Sequence, residues 1–288
     1  MKKIKAGKKI AKALFVAIIL IYFLGPIFWL LLSSIQPEED MRTVPLKLIP
    51  KNFTLNNFRA FFNKTLRDQM HLPGVASEVN SSLLNSTIIA LFVTISNLAI
   101  AIPAAYTFAR FSSKSLSLCY IVLLVCRTVP AVAIVIPFYI IFRAIGLVGN
   151  MSSVILAHSA FTLPFVLWIL QGFFAGIPVE IEESAVLDGC SRFGAIVRVV
   201  LPVSAPGLIS AAVFAFMFSW NEFFFSLILT GATSIKTVTV VAALFSSDIM
   251  LKYGIMNAAS IVAVIPPVVL ALIFSSYLRK GLTTGAVR

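Results

Sequence analysis

The side chains of this sequence that could do chemistry are a few charged and polar groups among long apolar runs. The densest group lies in the insert IEESAVLDGCSRFGAIVRVVLP (181–202), between two apolar stretches. Its carboxylates and hydroxyls suit ion pairs and hydrogen bonds with a partner, whereas catalysis needs a nucleophile, a base or metal ligands that converge. The sequence has no such constellation at triad or metal-ligand spacing. We therefore predict a contact surface in the insert, and no catalytic residue and no metal site.

Local physics predicts the shape of this insert. Pro178 and the glutamates after it favour the start of a helix, because the helix dipole attracts negative charge there. Gly189 favours the left-handed conformation that ends a helix, and Ser191 suits the N-cap of a second helix. The prediction is helix, glycine turn, helix, with one apolar stripe for docking. The stripe consists of Phe193, Ile196, Val197 and Val200.

The insert resembles a loop of the inner-membrane permease subunits of ATP-binding-cassette (ABC) importers. That loop reads Glu-Ala-Ala, three residues, Gly, nine residues, then Ile-x-Leu-Pro. Glu183 begins the match here, Gly189 takes the glycine position and Pro202 ends it. Ser184 replaces one alanine and Val199 replaces the isoleucine. An ordinary interfacial helical hairpin is the alternative, and the full spacing inside a multi-span protein favours the resemblance.

The resemblance implies a coupling helix that sits in a cleft of an ATPase subunit and transmits its movement to the membrane. Glu183 is then expected to make a charged contact with the ATPase, and Gly189 to allow close backbone approach. Leu187 and Phe193 are expected to dock as apolar side chains. The full set expected to couple to the ATPase is Glu182, Glu183, Ser184, Ala185, Leu187, Asp188, Gly189 and Phe193.

Composition predicts the elements that carry these residues. Of 288 residues, 59% are hydrophobic and 12% are charged, and the mean hydropathy is +1.00. These values are typical of an all-α membrane protein with several spans. The net charge of +12 does not indicate a nucleic-acid partner, because the basic residues collect at span ends rather than in one aromatic-lined cluster. The predicted spans cover about 13–32, 83–108, 118–142, 153–174, 203–230 and 255–278.

The distribution of basic residues predicts the orientation. Lysine and arginine are richest on the side that holds the N-terminus and the insert, so the positive-inside rule places both termini and the coupling loop (178–201) in the cytoplasm. We predict a cytoplasmic N-terminus (1–12), one transmembrane domain (13–280) and a cytoplasmic tail (281–288). The expected location is a bacterial or archaeal plasma (inner) membrane. External loops are expected at 33–81, with short helices or as a flexible linker, and at 231–252.

Two ionisable side chains fall within predicted spans, Arg127 and Glu222. A charge in the membrane is costly, so each indicates a function by default. Counting about 1.5 Å of rise per residue places Arg127 far nearer the cytoplasm than Glu222, so we do not expect them to pair. The segment SWNEFFF (219–225) resembles a Trp-Asn-Glu/Asp segment of carbohydrate importers, and Trp220, Asn221 and Glu222 suit a sugar. An interhelical structural contact is the alternative. His158 is expected to be a satisfied packing residue.

Further stretches are similar to the carbohydrate-uptake, maltose-type branch of the same family. They are LPFVLWILQGFFAGIP (163–178), LPVSAPGL (201–208) and the tail GLTTGAV (281–287), so the likeness extends over nearly the whole chain. This branch implies that the tail approaches the ATPase dimer and that the last external loop contacts a solute-binding protein. The residues expected at that contact are Ser234, Lys236, Asp248 and Tyr253.

The expected function is that of a permease subunit in an ATP-driven, binding-protein-dependent importer with the type I ABC importer permease fold. The sequence has no Walker motif, so ATP and Mg are expected on partner subunits. The expected partners are a second permease, two ATPase subunits, an extracytoplasmic solute-binding protein and the lipid bilayer. The solute is expected to be a sugar, an oligosaccharide or a sugar derivative.

Two alternatives stay open at this point. One is a permease for a glycerol phosphate, a polyol or a sulfonated sugar, in which Arg127 would contact the anion. The other is an ion-coupled secondary transporter, which would be expected to show inverted repeats and midplane charges.

Overall fold

The computed structural model describes residues 2–41, 43, 52–72, 74–245 and 252–277. These residues form helices and connecting turns, and none of them belongs to a β-strand. The predicted all-α class is confirmed. The helices are α1 (Lys2–Ser34), α2 (Glu38–Met41), α3 (Asn56–Arg59), α4 (Lys64–Gln69), α5 (Val79–Arg110), α6 (Lys114–Cys126), α7 (Ala131–Ala144), α8 (Met151–Ala175), α9 (Val179–Leu187), α10 (Arg192–Ala195), α11 (Leu201–Val203), α12 (Ala205–Trp220), α13 (Phe224–Thr230), α14 (Val238–Leu244) and α15 (Tyr253–Ile273).

Four of these helices are long and apolar enough to cross a membrane alone: α1 from Lys12 onward, α5, α8 and α15. They coincide with the first, second, fourth and sixth predicted spans. The most apolar window of α8 is 56% buried inside the protein, whereas that of α1 is 0% buried. Helix α8 is therefore a central packing element, and the apolar side chains of α1 are left for lipid or another subunit.

The predicted third span is broken rather than continuous. Helices α6 and α7 meet at an angle of 100°. Pro130 is the N-cap of α7, with an extended backbone at ψ 136°. Proline has no amide hydrogen and disfavours a helical conformation in the residue before it, so α6 ends before this point.

The predicted fifth span is also broken. A bend of 75° separates the segment Arg192–Val203 from α12. Pro206 lies in the first turn of α12. Amide hydrogens in a first turn have no acceptor within the helix, so the missing amide hydrogen of proline costs no hydrogen bond there. The helix then stops at Trp220 and resumes as α13 at Phe224. If each bent pair counts as one span, the described residues contain up to six spans.

The chain divides into two compact units. The first comprises Met1–Asn80 with Ala242–Val264. Within it, the Asn57 side-chain amide donates hydrogen bonds to the backbone carbonyls of Ser34 (2.9 Å) and Gln36 (3.0 Å). Asn257 similarly donates to the Ser33 hydroxyl at 2.8 Å. The described part of the 33–81 loop therefore contains short helices, which is one of the two alternatives predicted for it; the other was a flexible linker.

The second unit comprises Ser81–Val241 with Ile265–Arg288. Its main core packs Leu170 and Phe174 of α8 against Ala211 and Ala215 of α12, with alanines of α5 beside them. Small side chains on α12 let the two helices approach closely. Gly207 is the extreme case, because a Cβ at this position would lie 2.3 Å from the Phe173 ring. This packing holds α8 and α12 together, and α12 ends at Trp220, a predicted site residue.

Candidate functional site

The insert forms the predicted helix, glycine turn and second helix. Helix α9 starts directly after Pro178. Gly189 has φ +92°, in the left-handed region. The Ser191 hydroxyl accepts a hydrogen bond from the backbone N–H of Gly194 at 3.1 Å, as an N-cap does. These three local features of the prediction are confirmed.

The single apolar stripe predicted on the second helix is wrong. Residues Ile196–Val200 form a π-helix, in which hydrogen bonds join residues five apart rather than four. This wider turn rotates the later side chains away from the direction that the α-helical spacing predicts. Phe193 and Val197 are exposed, whereas Val200 is fully buried in the core of the second unit.

Each helix of the insert nevertheless has one strongly exposed apolar side chain. Leu187 is 87% exposed and Phe193 is 76% exposed. A cleft of about 510 Å³ has Leu187, Glu183 and Arg192 in its wall. An exposed apolar pair with charged groups at its edge is typical of a protein-binding surface.

The two adjacent glutamates of the insert have different surroundings. Glu182 is buried, and its carboxylate accepts hydrogen bonds from Arg110 Nε at 2.7 Å and from the Tyr106 hydroxyl at 2.8 Å. Arg110 Nη2 pairs with the same carboxylate. Glu183 is exposed. Glu182, expected to couple to an ATPase directly, therefore binds its own chain and joins α9 to the end of α5.

Sequence reasoning did not identify Arg110 and Tyr106 as partners of the insert. A signal was present, since Arg110 lies just beyond the predicted span 83–108 and on the predicted side of the insert. The remaining predicted coupling residues lie on or beside α9. Ser184 donates its hydroxyl to the Glu180 carbonyl at 2.7 Å, Ala185 is half-buried and Asp188 is exposed.

The second candidate site surrounds the break between α12 and α13. The Glu222 carboxylate lies 2.8 Å from His158 Nε2 and accepts hydrogen bonds from the backbone N–H groups of Phe225 (2.9 Å) and Ser226 (3.1 Å). His158 Nδ1 lies 2.9 Å from the Ser219 hydroxyl. Glu222 therefore makes the interhelical contact that was the structural alternative, and His158 is a satisfied buried residue as predicted.

The two residues before Glu222 differ in accessibility. Trp220 is buried, and its indole stacks on Phe216 with 5.7 Å between the ring centroids. The face of the Trp220 indole ring is therefore not open to a solute in this structure. Asn221 is exposed, and its amide group donates to the Met217 carbonyl at 2.8 Å. Of the three predicted solute contacts in SWNEFFF, Asn221 is the accessible one.

Arg127 lies at the break between α6 and α7. Its guanidinium carbon is 4.0 Å from the centroid of the Phe165 ring and 4.9 Å from that of Phe218. Phe218 precedes Glu222 by four residues. The relative depth of Arg127 and Glu222 in the membrane stays a prediction. The expectation that the two side chains do not pair is confirmed, because Glu222 binds His158.

The predicted contacts for a solute-binding protein are distributed over both units. In the second unit, Ser234 is exposed, and the Lys236 carbonyl accepts a hydrogen bond from the Asn85 side chain at 3.1 Å. In the first unit, Tyr253 is exposed at the start of α15. Asp248 and the tail 281–288 lie outside the described residues. The role of these four residues stays a prediction.

Comparison with known proteins identifies relatives along most of the chain. The family described as "Binding-protein-dependent transport system inner membrane component" matches residues 97–284. The sulfoquinovosyl glycerol transport system permease protein of Agrobacterium fabrum is 31% identical over 273 residues, which cover 94% of this chain and 91% of that protein. The trehalose transport system permease protein of Mycobacterium tuberculosis is 34% identical over 269 residues, 93% of each chain.

A third relative and a solved structure agree with this picture. The trehalose/maltose transport system permease protein of Thermococcus litoralis is 33% identical over 278 residues, which cover 96% of this chain and 94% of that protein. The fold is similar to a chain in the crystal structure of a bacterial ABC transporter involved in the import of the acidic polysaccharide alginate. The TM-score is 0.75 at 18% identity, with 93% of this chain and 95% of that chain covered.

Proposed function

The chain belongs to the family of inner-membrane components of binding-protein-dependent transport systems, and from this premise we propose that its solute is a sugar, an oligosaccharide or a sugar derivative. It is a permease subunit of a multi-subunit ABC importer and not itself an enzyme. The observation that carries the proposed solute class is that three relatives, each matched over more than nine-tenths of this chain, have such compounds in their names.

The proposed complex contains a second permease, two ATPase subunits that bind ATP and Mg, and an extracytoplasmic solute-binding protein. Exposed apolar surface supports a partner within the membrane, since no residue of α6 is buried and no residue in the most apolar window of α1 is buried. The positive-inside rule supports a cytoplasmic location for both termini and for α9 and α10. In that orientation Leu187 and Phe193 face the compartment that contains ATP.

The ion pair between Glu182 and Arg110 supports a route from the ATPase to the membrane. In the proposed mechanism, closure of the ATPase dimer moves α9 through its exposed apolar residues. Because the buried carboxylate of α9 binds the end of α5, displacement of α9 pulls on a helix that crosses the membrane. A second route follows the chain itself, from α10 through the π-helix into α12.

The break between α12 and α13 supports a solute contact in the membrane. Interrupted helices in transporters free backbone groups and place polar side chains at a binding site. Here the Glu222 carboxylate binds His158 and the first backbone N–H groups of α13, so the break is held in one geometry. Asn221 is exposed at this break and can exchange hydrogen bonds with sugar hydroxyl groups.

The test is sugar-stimulated ATPase activity of the complete complex in proteoliposomes, compared with uptake of the same sugar. Gly189→Asp should uncouple hydrolysis from uptake or release the ATPase. Gly146→Asp is a matched control, because Gly146 also has a positive φ (+71°) and open space around its Cβ position. The proposal fails if no sugar stimulates the complex. If the chain purifies alone and moves solute with an ion gradient, it is a secondary transporter instead.

A further inference from the structure

We propose that Arg127 binds an acidic group of the transported solute, so that the solute is an anionic sugar with a carboxylate, sulfonate or phosphate substituent. This inference rests on the proposed function, because it names the class of sugar that the same membrane site accepts. It assigns to Arg127 a role in solute selection.

The first support is the position of Arg127 in the chain. Helix α6 ends at Cys126, and α7 begins at Ala131. Between them, Thr128, Val129 and Pro130 are exposed. Arg127 is therefore the first residue of an open turn within a predicted span, and it is itself partly exposed. Its guanidinium can be reached by a molecule that lies beside α8 and α12.

The second support is how the guanidinium is held. The Phe165 ring of α8 and the Phe218 ring of α12 lie 4.0 and 4.9 Å from its central carbon. Aromatic rings attract the faces of a planar cation. The two rings are nearly perpendicular to each other, at 82°, so the planar guanidinium can lie face to face with one of them at most. Within the described residues its N–H donors make no hydrogen bond, so they stay available to a ligand.

The third support is the charge balance around the group. A charged arginine in the membrane normally pairs with an acidic side chain or a carbonyl, because an uncompensated charge is costly there. Within the described ranges no carboxylate pairs with the Arg127 guanidinium, and its side chain makes no hydrogen bond. Glu222 follows Phe218 by four residues in the sequence, but the Glu222 carboxylate is bound to His158. An anionic solute group would supply the missing counter-charge.

The fourth support is the proximity of a neutral sugar contact. Phe218, whose ring Arg127 contacts, precedes the exposed Asn221 by three residues, which is less than one turn of helix. In the proposed pose a sugar hydroxyl meets the Asn221 side chain while an acidic substituent meets the guanidinium. The carboxylate, sulfonate and phosphate groups all accept two parallel N–H bonds from arginine.

The experiment uses the complete complex in proteoliposomes and three matched pairs of probes. They are trehalose 6-phosphate with trehalose, digalacturonate with galactobiose, and methyl sulfoquinovoside with methyl glucoside. For each probe, kcat/KM of stimulated ATP hydrolysis and the rate of uptake are measured. We expect one acidic probe to be transported in preference to its neutral partner. Arg127→Gln should lower kcat/KM for that acid about thirtyfold or more, the loss typical of removing one member of a desolvated charge pair.

The controls separate solute recognition from folding. Arg127→Lys keeps the positive charge but loses the planar guanidinium with its paired N–H donors, so this variant should retain part of the activity with the acidic probe. Arg143→Gln removes an exposed arginine of α7 and should leave both probes unchanged. Assembly of each variant is checked by its basal ATP hydrolysis. If Arg127→Gln does not assemble, the test uses Arg127→Lys alone. A loss of kcat/KM confined to the acidic probe supports the proposal, and an equal loss of kcat/KM for the acidic and the neutral probe overturns it.

The possible failures are distinguishable. If only neutral sugars stimulate the wild-type complex, or if Arg127→Gln transports the acid as well as the wild type does, the inference about Arg127 is wrong and the sugar permease remains. If neither acidic nor neutral sugars stimulate the complex, the proposed function itself fails.

Discussion

Arg110 and Glu182 lie 72 residues apart in the sequence, and the arginine Nε is 2.7 Å from the glutamate Oε1. Both side chains are about nine-tenths buried, and the Tyr106 hydroxyl donates a further hydrogen bond to the same carboxylate. This contact is the polar connection between α9 of the insert and the end of α5. The adjacent Glu183 is exposed and remains available for a partner.

Replacement of either member of this pair should destabilise the protein and uncouple transport. Arg110→Gln or Glu182→Gln leaves a buried charge without its partner, which typically costs about 3–5 kcal/mol. The double variant should recover part of the stability, because no unpaired charge remains. Thermal unfolding in detergent and the ratio of uptake to ATP hydrolysis measure the two effects. Glu183→Gln is the stability control, and an equal loss of Tm there would contradict the role of Glu182.

The exposed apolar residues of the insert should contribute to binding and not to folding. Leu187→Ala and Phe193→Ala remove side chains that are 87% and 76% exposed. Each should weaken ATPase binding at least about tenfold if it is a central contact, while Tm stays unchanged. Titration of the permease with purified ATPase in detergent gives the Kd. Phe62→Ala, at a residue that is also exposed, should leave the Kd at the wild-type value.

Gly189 should tolerate asparagine better than valine. Its φ of +92° is the constraint, since an added Cβ meets nothing within 4 Å. Gly189→Val should cost about 1–2 kcal/mol of folding free energy, and Gly189→Asn less, because asparagine enters the left-handed region more readily. Denaturant unfolding in detergent micelles compares the two. Gly74→Ala, with open space and no positive φ, should change stability little. Equal effects of asparagine and valine would refute backbone strain as the cause.

Gly207 should not accept even one methyl group. A Cβ would lie 2.3 Å from the Phe173 ring, within the main α8–α12 contact. Gly207→Ala should therefore cost about 1–3 kcal/mol through overpacking. Addition of Phe173→Leu should recover part of this loss by opening space. Tm values of the single and double variants measure the coupling, and Gly25→Ala, with nothing within 4 Å, is the control. Simple additivity of the two changes would argue against a direct clash.

The contact between His158 and Glu222 should hold the break before α13. Glu222→Ala removes the histidine contact and both backbone hydrogen bonds at the start of α13. We expect a loss of about 2–5 kcal/mol, with a smaller loss for Glu222→Gln, which keeps an oxygen acceptor. Hydrogen exchange of the 224–230 amides should increase in Glu222→Ala. Protection equal to that of the wild type would show that the break is held by packing alone.

Much of the fold could be predicted because it depends on neighbours in the chain. Apolar run lengths located the four spans that are single helices, and Gly189 and Ser191 located the turn and the cap of the insert. The breaks at Pro130 and at 221–223 were not predicted. Whether a proline bends a helix or ends it depends on which neighbouring groups satisfy the freed carbonyls. The π-helix was not predicted either, because no local sequence pattern marks it.

The sequence by itself determined the class of the molecule, the order of its spans and the helix, glycine turn and helix of the insert. These follow from hydropathy, from φ preferences and from capping, which act over a few residues. Only the tertiary structure decided that Glu182 faces inward while Glu183 faces outward, that Glu222 binds His158, and that Arg127 contacts the rings of Phe165 and Phe218. Each of these contacts joins residues that are far apart in the chain, so helix packing and the position of the breaks select the partner.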